Sequence, residues 1–382
     1  MKKGCLRKLL SALFSLLVIA GIAAAIYFNQ QFIKTHIINR IEGMYYVHKG
    51  DKAYHKMNTI KAIKYYNKGL KLFPGHYGAW YNLGNIYVSF EDYYSALYAY
   101  SQAFKYNPKM MIARMNYGIV ATQKLGNFDI AIDQFNKIVN TKRKLLSIPY
   151  VFNNKISTKE NKAIAYYNIG VTYRLKYLYE NNDWEKQRKY LAKAIDAYKK
   201  SLKIAPKKYD TLFNLGLAYH IAGRYDDAGE YYCKAIEVQP MSYEAHYNLA
   251  VLLRRLRYFE ESYKEIEKAA TLVSALDEND TQQQYVSIVM NDIMRTIYGN
   301  EEYRNKLNTA LNEEKNKTAQ HMTTEEIKTK ETKKDKEKGT VTTEGVNLVN
   351  GKVVVTKDLD EAILKNFGKC PSLRLFTSDD DD

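Results

Sequence analysis

The sequence predicts an all-α chain built from repeated helix pairs, and three observations carry that prediction. Small residues recur at a step of 34, as Gly50, Gly84 and Gly118 in the first half and as Gly216 and Ala250 in the second. About 12 positions after the glycine comes a second small residue, then a large one four later: Ala62 and Tyr66, Ala96 and Tyr100, Ala194 and Tyr198, Ala228 and Tyr232. Those four copies also close on proline, at Pro74, Pro108, Pro206 and Pro240. Recurrence at one such period marks a supersecondary unit stacked on copies of itself, and it outranks any reading of single helices.

Two antiparallel helices account for the offsets. Small residues at two positions let the helices approach, the large ones between fill the seam, and proline ends the second helix. The turns fall at stretches such as FEDYY and GRYDD, whose Gly, Asp and aromatic residues stop one helix and start the next. From Gly118 to Gly170 the step is 52 and from Gly170 to Gly216 it is 46, so the surplus sits in local insertions. In the third copy an extra turn residue gives the small position to Ala131 rather than Ile130, and the closing proline is missing. The fourth copy carries a long insert between Gly170 and Ala194, and the sixth has Ser262 where the others have alanine.

Taken from the start, residues 1–40 read as a basic flank followed by a membrane span. Lys2, Lys3, Arg7 and Lys8 precede the apolar run 9–28, LLSALFSLLVIAGIAAAIYF, which as a helix covers roughly 30 Å, the depth of a bilayer core. The run exceeds the apolar region of a cleavable signal, although residues 23–25 offer a small-residue cleavage site; a retained anchor is the expectation. Lys34 and Arg40 are the nearest basic residues after it, so the amino terminus is expected in the cytoplasm and the repeats outside it. Six units follow, at 43–76, 77–110, 111–144, 163–208, 209–242 and 243–276. The stretch TKRKLLSIPYVFNNKISTKEN between the third and fourth reads as a linker. Residues 281–314 are expected to cap the array, with Val286, Val289, Ile293 and Ile297 on one helical face. Residues 315–340, Lys, Glu and Thr with scarcely an apolar residue, are expected to be disordered. In the tail 341–382, VNLVNGKVVVT carries an Asn-Gly hairpin signal and DLDEAILKNF suggests one helix.

The units resemble tetratricopeptide repeats, on the pattern Trp80, Leu83, Gly84, Tyr87, Ala96, Tyr100, Ala103 and Pro108 that stands complete in the second copy. The resemblance implies a right-handed superhelical solenoid with a concave binding side and a protein partner. It also implies that Asn82, Asn116, Asn168, Asn214 and Asn248, each two before the small residue, face that side. A side-chain amide both donates and accepts, so such a ladder can pair with the backbone of an extended peptide. Tyr81, Tyr167, Phe213 and Tyr247, one position earlier, would hold the peptide's side chains. The same asparagines also occur in relatives whose ligand is a folded protein, so both readings stand. A clamp for a terminal carboxylate, a second use within the family, needs basic residues beside Asn82 and Asn85 where this chain has Val47, Ile112 and Asn116.

Other chemistries find little support. The net charge of +16 is spread along the chain without a nucleic-acid-binding signature, so nucleic acid is not an expected partner. Cys5, Cys233 and Cys370 form no CxxC and no even framework, and neither zinc nor a disulfide is expected; Cys233 reads as a small buried apolar residue. His48, Asp51 and His55 share a helical face but lack a further ligand, so no metal or other cofactor is expected. His220 and His246 read as groove or packing residues. No nucleophile elbow, phosphate loop or HExxH is present, and no enzyme is expected. The function that follows is a membrane-anchored scaffold or adaptor for protein–protein interaction. An assembly or chaperone-linked factor for envelope proteins, or a regulatory subunit of a membrane enzyme, is the alternative.

Overall fold

Each glycine of the 34-residue pattern lies under an aromatic ring of the next helix, and the helix pairs are built on that contact. The computed structural model describes residues 3–30, 34–141, 158–274, 281–299, 305, 309, 346–349, 352–355 and 368–370. The expected linker between the third and fourth units and the segment 315–340 lie outside these, apart from residues 141 and 158–161 at the linker's ends. The chain divides into two compact units, Met1–Lys155 and Ile156–Asp382.

The first unit opens with α1 (Lys3–Phe28) and a π-helical turn at Lys34–Ile38. Three helix pairs follow: α2 (Asn39–His55) with α3 (Thr59–Leu72), α4 (Tyr77–Ser89) with α5 (Tyr93–Tyr106), and α6 (Met111–Gln123) with α7 (Phe128–Val139). The second unit holds α8 (Thr158–Tyr179) with α9 (Trp184–Ile204), α10 (Tyr209–Ile221) with α11 (Tyr225–Val238), and α12 (Tyr243–Arg255) with α13 (Phe259–Val273), then α14 (Thr281–Gly299). Two short strands, β1 (Val346–Val349) and β2 (Lys352–Val355), pair antiparallel with Val346 opposite Val355.

The seams follow the offsets. A β-carbon on Gly50, Gly84, Gly170 or Gly216 would meet the ring of Tyr66, Tyr100, Tyr198 or Tyr232 at 2.4–2.8 Å, and one on Gly118 would meet Phe135 at 2.5 Å. Only glycine lets the rings in that far. In the third pair Ala131 is fully buried and Ile130 exposed, as the extra turn residue requires. Ser262 is also buried, and its hydroxyl donates across the seam to the Ala250 carbonyl at 2.7 Å, which accounts for a polar residue at a position that favours alanine.

Five of the six turns within the described pairs share one backbone device. Met57, Glu91, Gly126, Gly223 and Arg257 all adopt positive φ, between 58° and 74°. The next amide then closes onto the end of the preceding helix: Asn58 N to Ala53 O, Asp92 N to Tyr87 O, Arg224 N to Tyr219 O and Tyr258 N to Leu253 O, at 2.9–3.0 Å. This is the left-handed cap that satisfies otherwise orphaned carbonyls. Asn58, Asp92 and Asp183 start the second helix of their pairs by accepting from the amide three residues on.

The insertion in the fourth unit is helical rather than a loop. α8 has 22 residues and α9 has 21, against 13 and 14 in α10 and α11. Their joint end overhangs, with Leu178, Tyr179 and Trp184 exposed. At the other end of this unit α14 packs on α13, burying Val286 and Ile293 against Ala250, Ile266, Ala269 and Val273.

Two features bear on the expectations for the termini. Among the described residues no helix is long and apolar enough to cross a membrane; the described side chains of α1 are those of residues 11–27, within the longer apolar run of the sequence, and they are exposed. Against expectation, Cys233 is disulfide-bonded to Cys370, their Cα atoms 5.6 Å apart. A pair separated by 137 residues leaves no spacing signature to read.

Candidate functional site

The two units place the five asparagines in different chemistry. On α4, Asn82 is half-buried and donates to Tyr66 OH at 3.1 Å and to Asp51 Oδ1 at 3.3 Å, while Tyr66 OH itself donates to Asp51 at 2.8 Å. One unit further on the arrangement repeats: Tyr100 OH donates to Asn85 Oδ1 at 2.8 Å, and Asn116 on α6 donates to Asn85 at 3.3 Å and to Tyr81 OH at 3.4 Å. Burial of the phenols holds them in the protonated, donating form, pushing Tyr100 up to about 12 and Tyr66 further. The amide hydrogens of Asn82 and Asn116 thus join neighbouring repeats. Asn85 Oδ1 accepts from Tyr100 and Asn116, and Asp51 Oδ1 accepts from Tyr66 and Asn82.

In the second unit the asparagines bond within their own helices. Asn168 is buried and donates to Ile164 O at 2.9 Å; Asn214 and Asn248 are half-buried and donate to Asp210 O and Glu244 O at 2.8 Å. In Asn214 and Asn248 that bond uses one of the two amide hydrogens.

The aromatic row is set by the seams. Tyr81 tilts at 45° against Tyr100, Tyr167 at 46° against Tyr198 and Phe213 at 42° against Tyr232, each with ring centroids 6.0 Å apart. Such offset pairs fix the exposed edges of the outer rings. Tyr209 adds a stacked contact to Phe213 at 10°, and burial raises the phenols of Tyr167 and Tyr247.

Three of the nine expected residues meet in one cleft. Phe213 of α10, Tyr247 and Asn248 of α12, and Tyr243, Glu244, Tyr285 and Val286 line an open cleft of about 370 Å3. Tyr285 is 60% exposed although its neighbour Val286 is buried. Sequence reasoning missed Tyr243 and Tyr285; Tyr285 lies on α14, outside the 34-residue period, and the only available signal was an aromatic beside the apolar stripe of YVSIVM.

His220 and His246 are drawn into the packing of the second unit, whereas His48 and His55 are exposed. His246 is buried, its Nε2 donating to Pro240 O at 2.8 Å and its Nδ1 facing Glu265 Oε2 at 2.6 Å, and the other oxygen of Glu265 accepts from Lys268 at 2.7 Å. His220 sits beside Tyr232 and Tyr225, with its pKa lowered by burial and then by Arg255. Among the described residues no group of three or more His, Cys, Asp or Glu side chains gathers as a metal site.

Residues 84–143 and 197–230 each match a family model described as tetratricopeptide repeat. The chain is 27% identical over 229 residues to the TPR repeat-containing protein MJ1428 of Methanocaldococcus jannaschii, a match covering 58% of this chain and 37% of that one. It is 26% identical over 217 residues to the BBSome complex member BBS4 of Bos taurus, covering 57% and 36%. The chain therefore spans little more than a third of the length of these relatives. Among solved structures, TTC0263, a thermophilic TPR protein of Thermus thermophilus, shares 19% identity at a TM-score of 0.42, covering 56% of this chain and 98% of that one.

Proposed function

We propose that this chain, whose helix pairs are tetratricopeptide repeats, is a membrane-tethered scaffold that captures an extended protein segment in the cleft between α10, α12 and α14. The observation that carries the reading is the convergence of Phe213, Tyr247 and Asn248 with Tyr285 and Val286 around one open volume of about 370 Å3. Aromatic walls take an apolar side chain, and the remaining amide group of Asn248 pairs with the backbone beside it.

The tether rests on the run 9–28 and on α1, where Phe14 is 69% and Leu17 71% exposed. Side chains of this kind are at home in lipid. Lys2, Lys3, Arg7 and Lys8 before the run, against Lys34 and Arg40 after it, favour a cytoplasmic amino terminus with the repeats on the other face.

Both parts are testable on the full chain. A photo-crosslinking residue at position 247 or 285 should trap a partner in intact membranes, and one at the exposed position 203 of α9 should not. Capture from position 203 alone would sink the cleft reading. Extraction at alkaline pH should leave the full chain in the membrane pellet and release a chain lacking residues 1–40; release of both would sink the tether.

A further inference from the structure

Cys233 occupies a position that faces solvent elsewhere in the array. It follows the seam tyrosine Tyr232 directly, and the residues that follow the equivalent seam positions are Asn67, Ser101, Asn136, Lys199 and Glu267. Four of these five are exposed and Ser101 is half-exposed, whereas Cys233 is 2% exposed. The repeat itself does not bury this side chain. The cover is the carboxyl-terminal segment: Cys370 is bonded to it and packs with the α10–α12 core, and Gly368 comes close enough to the Pro240 ring that a β-carbon on it would stand 3.7 Å from Pro240 Cγ. Lys369 offers its carbonyl to the Lys268 ammonium at 2.9 Å. That ammonium is positioned by Glu265, itself bridged to the buried His246. Three consecutive residues of the tail thus meet α11, the α11–α12 turn and α13 of the second unit.

We propose that Cys233–Cys370 is a covalent clasp that fastens the carboxyl-terminal segment to the second repeat unit and is closed by thiol–disulfide exchange once that unit has folded. The sequence supports the pairing from a different side. Cys5 precedes the apolar run while Cys233 and Cys370 both follow it, so the two cysteines on one side of that run are the two that are joined. Bonds of this kind persist in oxidising compartments, in keeping with repeats outside the cytoplasm. The chemistry balances with a disulfide oxidant, either a low-molecular-weight disulfide or an oxidised dithiol protein. The Cys370 thiolate attacks one sulfur of the oxidant and releases its partner as a thiol. The Cys233 thiolate then attacks the Cys370 sulfur and releases the second. Two protein thiols lose two protons and two electrons, and the oxidant gains them as two thiols.

The test uses the full chain from the organism that encodes it, with free thiols blocked by N-ethylmaleimide at lysis. Mass spectrometry of a digest should find the peptides containing Cys233 and Cys370 joined, and both should become labelled only after dithiothreitol. Tryptic cleavage after Lys369 should be slower, on the order of tenfold, in the oxidised chain than in the reduced chain or in Cys370→Ser. Cys370 lies outside the repeats, so that variant leaves the helix seams whole; circular dichroism verifies this. Labelling of both cysteines without reductant overturns the proposal. So does cleavage after Lys369 at one rate in all three samples, since the bond would then fasten nothing. Neither readout involves a partner, so the clasp and the cleft stand or fall separately.

Discussion

Gly84 lies so close beneath the ring of Tyr100 that a β-carbon there would stand 2.4 Å from Tyr100 Cε1. The sixth repeat shows the other solution to the same seam: Ala250 stands where the glycine does and packs in one cluster with Ile266, which replaces the aromatic. Depth of ring insertion and size of the small residue therefore trade against each other. Gly84→Ala should destabilise the first unit by about 1–3 kcal/mol through overpacking. Gly84→Ala with Tyr100→Ile should recover part of that loss, and urea denaturation of the two variants and of Tyr100→Ile alone measures the coupling.

The asparagines divide by unit. Asn82→Ala removes two donors to the Tyr66–Asp51 pair and should cost about 1–2 kcal/mol of stability. Asn214→Ala removes a bond to its own helix backbone and should leave stability within about 0.5 kcal/mol. Thermal melts of both variants decide it, and equal losses would contradict the hydrogen-bond assignments.

His220 carries a pH prediction. Its pKa is lowered in the folded chain, first by burial and then by Arg255, so the unfolded chain binds the proton more readily. Stability is full above the unfolded value of 6.5 and is lost as pH falls below it. A denaturation series from pH 7.5 to 5 should show that decline, and His220→Gln should flatten it.

The left-handed turn positions give a stabilising substitution. Arg257 sits at φ 68° where Gly223 sits at 74° one repeat earlier. Arg257→Gly should stabilise by about 1 kcal/mol, and Gly223→Ala should destabilise by about 1–2 kcal/mol. Chemical denaturation of the two variants should move in opposite directions.

The helix pairs were legible because Gly84, Ala96 and Tyr100 are constrained by contacts inside one repeat, and a local constraint copied at a fixed step shows in the sequence. Ala131 was legible for the same reason, through the one-residue shift it must make. The hydrogen bonds of Asn82 were not, since its acceptors Asp51 and Tyr66 belong to the preceding repeat and depend on how far two helices approach. Phe213, Tyr247 and Asn248 could be placed by period, but Tyr285 could not, because α14 is no copy of anything upstream. Cys233 is buried in the core, as its place inside a helix beside packing positions led one to expect, but its bond to Cys370 was not legible, since the partner lies 137 residues away.

The overhanging end of α8 and α9 has an optical consequence. The chain has 2 tryptophans: Trp184 on that overhang is 63% exposed, whereas Trp80 in the first unit is half-buried with its indole nitrogen donating to Pro74 O at 2.8 Å. Each unit thus carries a single tryptophan in a different polarity, which excitation at the red edge of the absorption band selects over the tyrosines. With Trp184→Phe the emission reports the first unit alone and with Trp80→Phe the second, so the two halves of one chain can be watched separately through a single unfolding curve.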